Sequence, residues 1–381
     1  MADNNENKVL NVPHLRFPEF SGEWETKSIN DLADVIGGGT PDTTVKSYWD
    51  GGIQWFTPSE IGKNKFVDAS LRTITEDGLN NSSAKLLPPN TILLSSRATI
   101  GECSLSLREC ATNQGFQSLV SKKCNVDFLY YLIQTKKKDL IRKSCGSTFL
   151  EISANEVRKI QVSVPSDVEQ QKIAGLLSLI DKRIATQNKI IEDLKKLKSA
   201  IRKKMFSLLK DEYTESFEIN QLLDYEQPTA YIVANDEYFT DTSLTPVLTA
   251  NKGFILGYTD EKFGIYQKGE CIIFDDFTMD AKYVSFPFKV KSSAIKILTA
   301  KPNVNLRFMF EYLSYWELKS EEHKRHYISE IASLVIELPS KERQSIIASL
   351  MTSLNSKLDI EAKTKIRYEE QKRYLLSQMF I

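Results

Sequence analysis

The polar side chains best suited to selective hydrogen bonding lie in a turn after a predicted strand at residues 91–95. Arg97 stands in this turn beside Ser95, Ser96 and Thr99. An arginine side chain binds guanine through two parallel hydrogen bonds in the major groove of DNA, and small hydroxyl groups bind phosphates or base edges. The turn therefore has the chemistry of a base-reading loop, and a purely structural turn made of the same residues is the alternative.

Two amides and a basic run further along the chain have related chemistry. Asn113 and Gln114 carry the side-chain type that reads adenine, although the same amides also satisfy backbone groups in buried turns. Five nearby cations suit contact with phosphate groups, with a solvated helix face as the alternative. They are Lys136, Lys137, Lys138, Arg142 and Lys143.

Weaker candidates complete the set of hydrogen-bonding residues. Ser147 and Thr148 lie in a Gly-Ser-Thr loop whose backbone suits close approach to DNA. The second half of the chain offers further polar and basic side chains, and they are Asn251, Lys252, Tyr258, Thr259, Lys282, Lys324 and Arg325.

No group of residues has the spacing of a catalytic or metal site. His323 and His326 stand one helical turn apart, but no third ligand lies near them in the sequence. Gly37-Gly38-Gly39 precedes Thr40-Pro41 rather than a helix pattern, which is typical of a turn and not of a phosphate-binding loop. We therefore expect a non-catalytic chain that itself binds no metal and no cofactor.

Cysteine use and hydropathy indicate the cellular setting. The five cysteines are odd in number and none forms a Cys-x-x-Cys pair, which favours buried reduced thiols over disulfides or zinc binding. No stretch has the roughly 18 apolar residues of a membrane span, and the polar N-terminus does not resemble a signal peptide. These features predict a cytoplasmic protein with no membrane partner.

An internal repeat at an offset of 174 residues sets the organisation of the chain. Pro165-Ser166 corresponds to Pro339-Ser340, and the match continues without a gap to Met205-Phe206 and Met379-Phe380. Each copy has a short apolar stretch, a proline, a serine and a long helix pattern, and each follows a large variable segment. The chain is therefore a tandem duplication of a head and a helix.

Both copies of the helix carry the alternating three- and four-residue apolar spacing of a coiled coil. The apolar positions are Ile173, Leu177, Ile180, Ile184, Ile191, Leu194, Ile201, Met205 and Leu208 in the first copy, and Ile347, Met351, Leu354, Leu358, Tyr368, Leu375 and Met379 in the second. Polar residues such as Lys198 and Lys372 interrupt these seams and can fix register and partner choice. Two ordinary amphipathic helices packed on separate cores are the alternative.

The repeat predicts that the two helices run antiparallel. Because the termini of a globular domain usually lie close together, the end of the first helix and the start of the second should meet. Two similar antiparallel helices are related by a pseudo-twofold axis, which would place one head at each end of a rod about 60 Å long. Such a rod would hold the heads one to two DNA turns apart, since one turn is about 34–36 Å.

These patterns predict an α+β protein with two similar mixed α/β heads joined by the two helices. Turn signals and short strand patterns precede a helix pattern in each head, and we treat Asn125-Val126 and Asn303-Val304 as equivalent positions before these helices. The predicted segments are a disordered tail at 1–12, a first head at 13–164, a first helix at 165–210, a second head at 211–338 and a second helix at 339–381.

Charge is distributed unevenly, although the chain as a whole is neutral. Residues 166–210 hold 11 basic and 5 acidic side chains, whereas residues 211–338 hold 12 basic and 21 acidic side chains. A nucleic-acid contact of the acidic second head would therefore need a local basic patch.

Several short motifs occur in a fixed order along the chain, together with the repeat. They are Pro13-His14-Leu15-Arg16-Phe17-Pro18, Gly37-Gly38-Gly39-Thr40-Pro41, Trp55-Phe56-Thr57-Pro58, Ser95-Ser96-Arg97-Ala98-Thr99-Ile100-Gly101, Thr112-Asn113-Gln114-Gly115-Phe116, Gly146-Ser147-Thr148 and Glu169-Gln170. In this order they resemble the specificity (S) subunits of type I restriction–modification systems over nearly the whole chain. The second copy departs from the family pattern, with Glu342-Arg343-Gln344 where a Glu-Gln pair is expected.

The resemblance implies that each head is a target recognition domain that reads one half of a bipartite DNA sequence. It also implies that the two helices dock two methyltransferase (M) subunits, which carry S-adenosylmethionine and methylate adenine. Restriction (R) subunits, which use ATP and Mg²⁺, would join them to cut unmodified DNA. This chain would bind double-stranded DNA and catalyse neither reaction.

A different class of function is the alternative. A coiled-coil scaffold with two protein-binding heads would have the same architecture, and the acidic second head is the observation that favours it.

Overall fold

The structure, a computed structural model, describes residues 10–146, 150–209, 214–249, 253–316 and 330–381. The chain forms two compact units, of which the first contains residues 1–188 and 363–381 and the second contains residues 189–362. Each unit mixes helices with short strands and includes parts of two long helices. The predicted α+β class, with two mixed heads and two long helices, is therefore confirmed.

The first unit holds the first head. Its strands are β1 (Glu25–Ser28), β2 (Ala33–Gly37), β3 (Trp49–Phe56), β4 (Phe66–Val67), β5 (Arg72–Ile74), β6 (Ile92–Leu94), β7 (Cys103–Ser106), β8 (Cys110–Thr112), β9 (Gln117–Ser121) and β10 (Gln161–Val164). Its helices are α1 (Ile29–Leu32), α2 (Glu76–Asn80), α3 (Val126–Thr135), α4 (Lys137–Arg142) and α5 (Ala154–Arg158), and the long helix α6 (Asp167–Leu208) begins here.

Two sheets and one strand pair organise this unit. The larger sheet has the order β2-β9-β6-β7-β4, the smaller has the order β5-β3-β8, and β1 pairs with β10. Ala33 lies opposite Ser121 in the larger sheet, and Glu25 lies opposite Val164 in the strand pair. The strand pair therefore joins the start of the head to the strand that precedes α6.

The second unit holds the second head. Its strands are β11 (Glu215–Glu218), β12 (Leu223–Glu226), β13 (Thr245–Leu248), β14 (Ile255–Thr259), β15 (Cys271–Asp275), β16 (Ala281–Val284), β17 (Lys289–Val290), β18 (Ile295–Ala300) and β19 (Val335–Leu338). Its helices are α7 (Ile219–Leu222) and α8 (Leu306–Tyr315), and the long helix α9 (Lys341–Gln378) begins here.

The second head repeats the arrangement of the first. Its sheets have the orders β12-β18-β15-β16 and β14-β13-β17, and β11 pairs with β19. Glu215 lies opposite Leu338 in the second unit as Glu25 lies opposite Val164 in the first. In both units this strand pair is followed by a one-turn helix and by an edge strand of the larger sheet. The prediction that the heads share a fold is confirmed.

The predicted apolar seam is buried most deeply where a head covers the long helices. The buried positions are Ile173, Leu177, Ile180, Ile347, Met351, Leu375 and Met379, and the half-buried ones are Ile184, Ile191, Leu194, Ile201, Met205, Leu354, Leu358 and Tyr368. Two helices alone do not enclose a side chain, so the middle of the seam keeps some exposure. Leu208 is 42% exposed, so its predicted place in the seam is wrong, because the helix ends at this residue.

Contacts within each unit show that the helices are antiparallel. In the first unit Asp181 pairs with Lys372 and Arg183 lies over the ring of Tyr368, so residue numbers fall along α9 as they rise along α6. In the second unit Phe206, near the end of α6, shares a hydrophobic core with Ile347, near the start of α9. The predicted antiparallel pairing is confirmed.

An aromatic side chain at the end of each long helix closes the core of a head. The ring of Phe380, just beyond α9, stacks on Phe128 of α3 with centroids 5.3 Å apart. The ring of Phe206 of α6 contacts Phe308 of α8 in a tilted arrangement, with centroids 5.5 Å apart. Phe206 and Phe380 are equivalent in the sequence repeat, so both heads use the same closure.

A buried glutamine near the start of each long helix holds the head helix in place. The side chain of Gln170 donates to the carbonyl oxygen of Pro165 and accepts the backbone N–H of Asn125. Gln344 makes the same two bonds, to Pro339 and Asn305. Asn125 is therefore equivalent to Asn305, and the predicted equivalence with Asn303 is wrong by two residues.

The N-terminal motif packs on the start of α6. The guanidinium of Arg16 donates two hydrogen bonds of 2.8 Å to buried Glu169, which also accepts the indole N–H of Trp24. Asn11, within the predicted disordered tail, donates its side-chain amide to the backbone oxygen of Trp24, and residues 1–9 lie outside the described part. The position equivalent to Glu169 is Arg343 in the second copy, so this ionic arrangement belongs to the first unit.

Two sequence-based expectations need correction. Cys103, Cys110, Cys124 and Cys271 are buried thiols, and burial raises the pKa of Cys103 to about 12, but Cys145 is exposed in the loop after α4. The sequence pattern at 251–257 also predicts turns, but residues 255–257 already belong to β14, which pairs with β13.

Replacing Gln344 by leucine should destabilise the second unit. The leucine side chain cannot bond the carbonyl of Pro339 or the N–H of Asn305, and a buried unpaired polar group costs about 1–3 kcal/mol. Denaturant unfolding of the full chain measures the loss. Gln371→Leu, on the exposed face of the same helix, is the control, and an equal effect of both changes would contradict the assigned role.

Candidate nucleic-acid interface

Four motif loops of the first head converge through backbone hydrogen bonds. The N–H of Gly39 bonds the oxygen of Thr112, and the N–H of Asn113 bonds the oxygen of Phe56. The N–H of Ser96 bonds the oxygen of Gly115. These contacts assemble residues 38–41, 56–60, 95–101 and 112–116 into one surface region, which we call the loop cluster.

Glycine at position 38 is required by the close approach of two of these loops. A Cβ atom built on Gly38 would lie 2.0 Å from the backbone oxygen of Asn113 and 2.5 Å from that of Thr112. Backbone atoms cannot yield as a flexible side chain can, so any larger residue would push the two loops apart.

Arg97 is half-exposed and forms an ion pair with Glu151. The Nε atom of Arg97 lies 2.8 Å from Oε1 of Glu151, and the two residues also form an antiparallel backbone bridge. Glu151 is fixed in turn by two backbone hydrogen bonds with Cys145. The ion pair thus orients the guanidinium while leaving part of it open to solvent.

The three hydroxyl residues around Arg97 build the turn more than they line its surface. Ser95 is buried, and its Oγ donates to the backbone oxygen of Arg97 and accepts the hydroxyl proton of Thr99. Ser96 is also buried, whereas Thr99 is exposed. Ala98 has a φ of +54°, a left-handed backbone conformation that residues other than glycine rarely adopt. For Ser95 and Ser96, the alternative of a purely structural turn therefore fits better than a role in base reading.

The two candidate amides have different surroundings. Asn113 is half-buried, and its side-chain oxygen accepts the backbone N–H of Gly115. This is the backbone-capping role that the sequence left open. Gln114 is exposed, and its side-chain oxygen accepts the hydroxyl of Thr40 from another loop of the cluster. Gln114 is therefore the better placed of the two amides for a contact outside the protein.

The basic run lies beside the loop cluster, although several of its charges are already paired. Lys137 at the start of α4 pairs with Glu102, and Arg142 pairs with Asp139. Lys136 donates to the backbone oxygen of Ile381, and burial lowers the pKa of its ammonium group. Lys138 is exposed and Lys143 is half-exposed.

A groove of about 590 Å³ connects α4 to the turn that carries Arg97. Its lining is Ala98, Thr99, Ile100, Glu102, Lys137, Ile141 and Leu150. The structure thus brings the arginine turn and the basic run together, which their separation in the sequence did not guarantee. Ser147 and Thr148 lie outside the described residues.

The candidates of the second head that lie within the described residues are on two different sheets. Tyr258 is half-buried and Thr259 is buried on β14, whereas Lys282 is half-buried on β16, an edge strand of the other sheet. The hydroxyl oxygen of Thr259 accepts the backbone N–H of Glu261. Asn251, Lys252, Lys324 and Arg325 lie outside the described residues.

Sequence reasoning missed the partners that fix this surface. Glu151 follows Arg97 by more than fifty residues and Glu102 precedes Lys137 by more than thirty, and neither acidic residue belongs to a motif that would point to its partner. Among the described residues, no three His, Cys, Asp or Glu side chains cluster as metal ligands. Over the same part of the chain, no helix is long and apolar enough to cross a membrane.

A family model described as "Type I restriction modification DNA specificity domain" matches residues 21–196 and 212–370. The chain is 37% identical over 216 residues to the specificity subunit of the type I restriction enzyme MjaIX of Methanocaldococcus jannaschii, covering 55% of this chain and 50% of that protein. It is 39% identical over 178 residues to the EcoR124I/EcoR124II specificity subunit of Escherichia coli, covering 42% and 43%. The chain thus spans about half the length of these two curated relatives.

A solved structure resembles the whole fold. The S subunit of a type I restriction–modification system from M. genitalium matches 97% of this chain and 99% of its own, with a TM-score of 0.63 at 16% identity. This likeness confirms the fold alone.

Replacing Gly38 by alanine should destabilise the first unit by about 1–3 kcal/mol, because its Cβ would collide with backbone atoms of the neighbouring loop. Thermal or denaturant unfolding of the full chain measures the change. Gly52→Ala is the matched control, since open space surrounds the added Cβ there. Equal stability of the two variants would show that the loops are not as close as described.

Proposed function

Because this chain belongs to the family of type I restriction modification DNA specificity domains, we propose that it recognises a bipartite DNA sequence on behalf of partner enzymes. The observation that carries the proposal is the repeated head and helix, each copy matched by the family model. Each head reads one half-site, and the two antiparallel helices set the distance between the half-sites. The chain has no catalytic role of its own.

The first head reads its half-site with the loop cluster. Arg97 exchanges part of its contact with Glu151 for the two acceptor atoms of a guanine, and Gln114 reaches an adjacent base edge. Thr99 and the exposed cations near α4, such as Lys138 and Arg142, bind phosphates. Thr99 and Lys137 line one groove together with Ala98, the neighbour of Arg97, and this arrangement supports the assignment.

Further residues belong to the proposal on sequence grounds. In the first head they are Ser147 and Thr148 of the Gly-Ser-Thr loop, together with Asn113, Lys136, Lys137 and Lys143. In the second head they are Asn251, Lys252, Tyr258, Thr259, Lys282, Lys324 and Arg325. The acidic character of the second segment requires that its DNA contact be local.

The partner enzymes supply the chemistry in this proposal. Two methyltransferase subunits dock on the long helices and bind S-adenosylmethionine, and one of them holds the flipped target adenine. Restriction subunits bind ATP and Mg²⁺ and cut unmodified DNA. A cytoplasmic location follows from these partners.

Mapping of methylated adenines in the source genome, followed by a binding assay, tests the function. The mapped sequence gives a bipartite duplex, and the purified chain with its methyltransferase should prefer this duplex to one with both halves scrambled, with affinity falling steeply as salt rises. Equal binding to both duplexes would favour the alternative, which is a scaffold with two protein-binding heads. The acidic charge of the second head is the observation that favours this alternative.

Replacing Arg97 by alanine should weaken specific binding by about 1–3 kcal/mol and relax one position of one half-site, because a bidentate base contact is lost. Binding to duplexes substituted at each position measures the effect. Arg108→Ala is the matched control, since Arg108 also pairs with a carboxylate, Asp68, on the surface of the same head. An unchanged sequence preference in the Arg97 variant would exclude a reading role.

Inserting one heptad into each long helix, near residues 188 and 362, should lengthen the DNA spacer. Seven helical residues add about 10 Å, which corresponds to about three base pairs. The preferred spacer, measured with duplexes of graded spacer length, should increase while both half-sites stay unchanged. Loss of one half-site, with the original spacer retained, would contradict this role of the helices.

A further inference from the structure

The two lysines that interrupt the apolar seams occupy equivalent positions in the repeat. Lys198 of α6 corresponds to Lys372 of α9, and Asp181 of α6 corresponds to Asn355 of α9. The side chains of both lysines are only 16–18% exposed. A lysine so placed needs a negative partner, and the two units provide it differently.

In the first unit the carboxylate belongs to the long helix. Asp181 accepts the hydroxyl proton of buried Tyr131 at 2.5 Å and pairs with Lys372 at 2.8 Å. The phenol oxygen of Tyr131 also accepts a hydrogen bond from Lys65, which pairs in turn with Asp127. The head helix α3 thus contributes the neutral hydroxyl group of Tyr131, which contacts Asp181, and the carboxylate of Asp127, which pairs with Lys65.

In the second unit the carboxylate belongs to the head. Glu311 of α8 is fully buried and accepts two hydrogen bonds from Arg202, at 3.0 and 2.7 Å. Lys198 lies 3.9 Å away, and the side-chain amide of Asn355 donates at 3.4 Å. Burial lowers the pKa of Lys198, and Glu311 opposes this shift.

Glu311 and Tyr131 stand at the same place in their head helices. Asn125 caps α3 and Asn305 caps α8, and each is bonded by the equivalent glutamine of a long helix. Counting from these caps, residue 131 corresponds to residue 311. The two clusters therefore occupy equivalent positions in the repeat. The carboxylate that pairs with the lysine lies on the long helix in the first unit and on the head helix in the second.

We infer that these clusters are positioning sites. They make the two surfaces on which the heads pack against the long helices, which we call the seats, chemically different, so that each head fits only its own seat. The inference rests on the proposed function, because the seat fixes how a reading head is held on the helices. Tyr131 facing the second cluster would leave Arg202 without the carboxylate that accepts its two hydrogen bonds, and Lys198 without the buried carboxylate beside it. Glu311 facing Asp181 would bring two carboxylates together, which repel each other in a buried site.

A double-mutant cycle in the second unit tests the inference in the full chain. Glu311→Gln keeps the side-chain shape but removes the charge, so amide hydrogen exchange protection of α8 should fall by at least about tenfold. Adding Asn355→Asp supplies a carboxylate where the first unit has one, and protection should rise again by about tenfold. Asn355→Asp alone should not raise it, because Glu311 is still present.

Controls within the same molecule separate this effect from general damage. Protection of α3 in the first unit should stay unchanged in all variants. Glu192→Gln, which breaks an exposed pair with Lys196, should leave α8 unchanged. If Asn355→Asp changes protection equally with and without Glu311, the two positions are not coupled and the inference is wrong.

Binding to the bipartite duplex provides the functional readout. Glu311→Gln should weaken binding through one half-site about tenfold without changing which bases are preferred, and the double variant should recover the affinity. A changed base preference would mean that Glu311 acts in reading rather than in positioning. If the chain binds no specific duplex at all, the proposed function fails, whereas hydrogen exchange still decides whether the clusters couple head and helix.

Discussion

Closure of each head by the end of a long helix is the interaction on which the rest of the structure depends. Phe380 completes the aromatic core under α3, and Phe206 completes the one under α8. Without these rings both cores would be incomplete, because Phe380 lies in the hydrophobic cluster that contains α3 and Phe206 lies in the one that contains α8. Burial of a phenylalanine side chain contributes about 1.5–3 kcal/mol, so removal of the helix end would leave a head poorly enclosed.

Both heads need this closure, so their scaffold is the same. Their polar residues differ. Gln170 and Gln344 keep the same bonds because both satisfy backbone groups that any copy of the fold must bury. Side chains that face loops or neighbouring helices are under no such common requirement. Tyr131 and Glu311 show that even a buried position can change its chemistry when its partners change with it.

The sequence was sufficient to predict the helices and their direction, because heptad spacing and a long repeat report directly on packing geometry. It was also sufficient to identify Arg97 and Gln114 as candidate base-reading residues, since arginine and glutamine side chains have the hydrogen-bonding groups that base reading needs. It was not sufficient for contacts between distant segments. Glu151 beside Arg97 and Asn305 in place of Asn303 depend on how loops of different length return to one place, and local spacing carries no information about this.

The composition of the first unit has a consequence for synthesis on the ribosome. Its first segment ends at residue 188, but its core also contains Leu375, Met379 and Phe380. A nascent chain emerges from its N-terminus onward, so the core of this head stays incomplete until residues 375–380 have been synthesised. Until then the part of α3 that Phe380 covers, which includes Phe128, is available to chaperones, and translation stalled within the second head would release a first head without its closing residues.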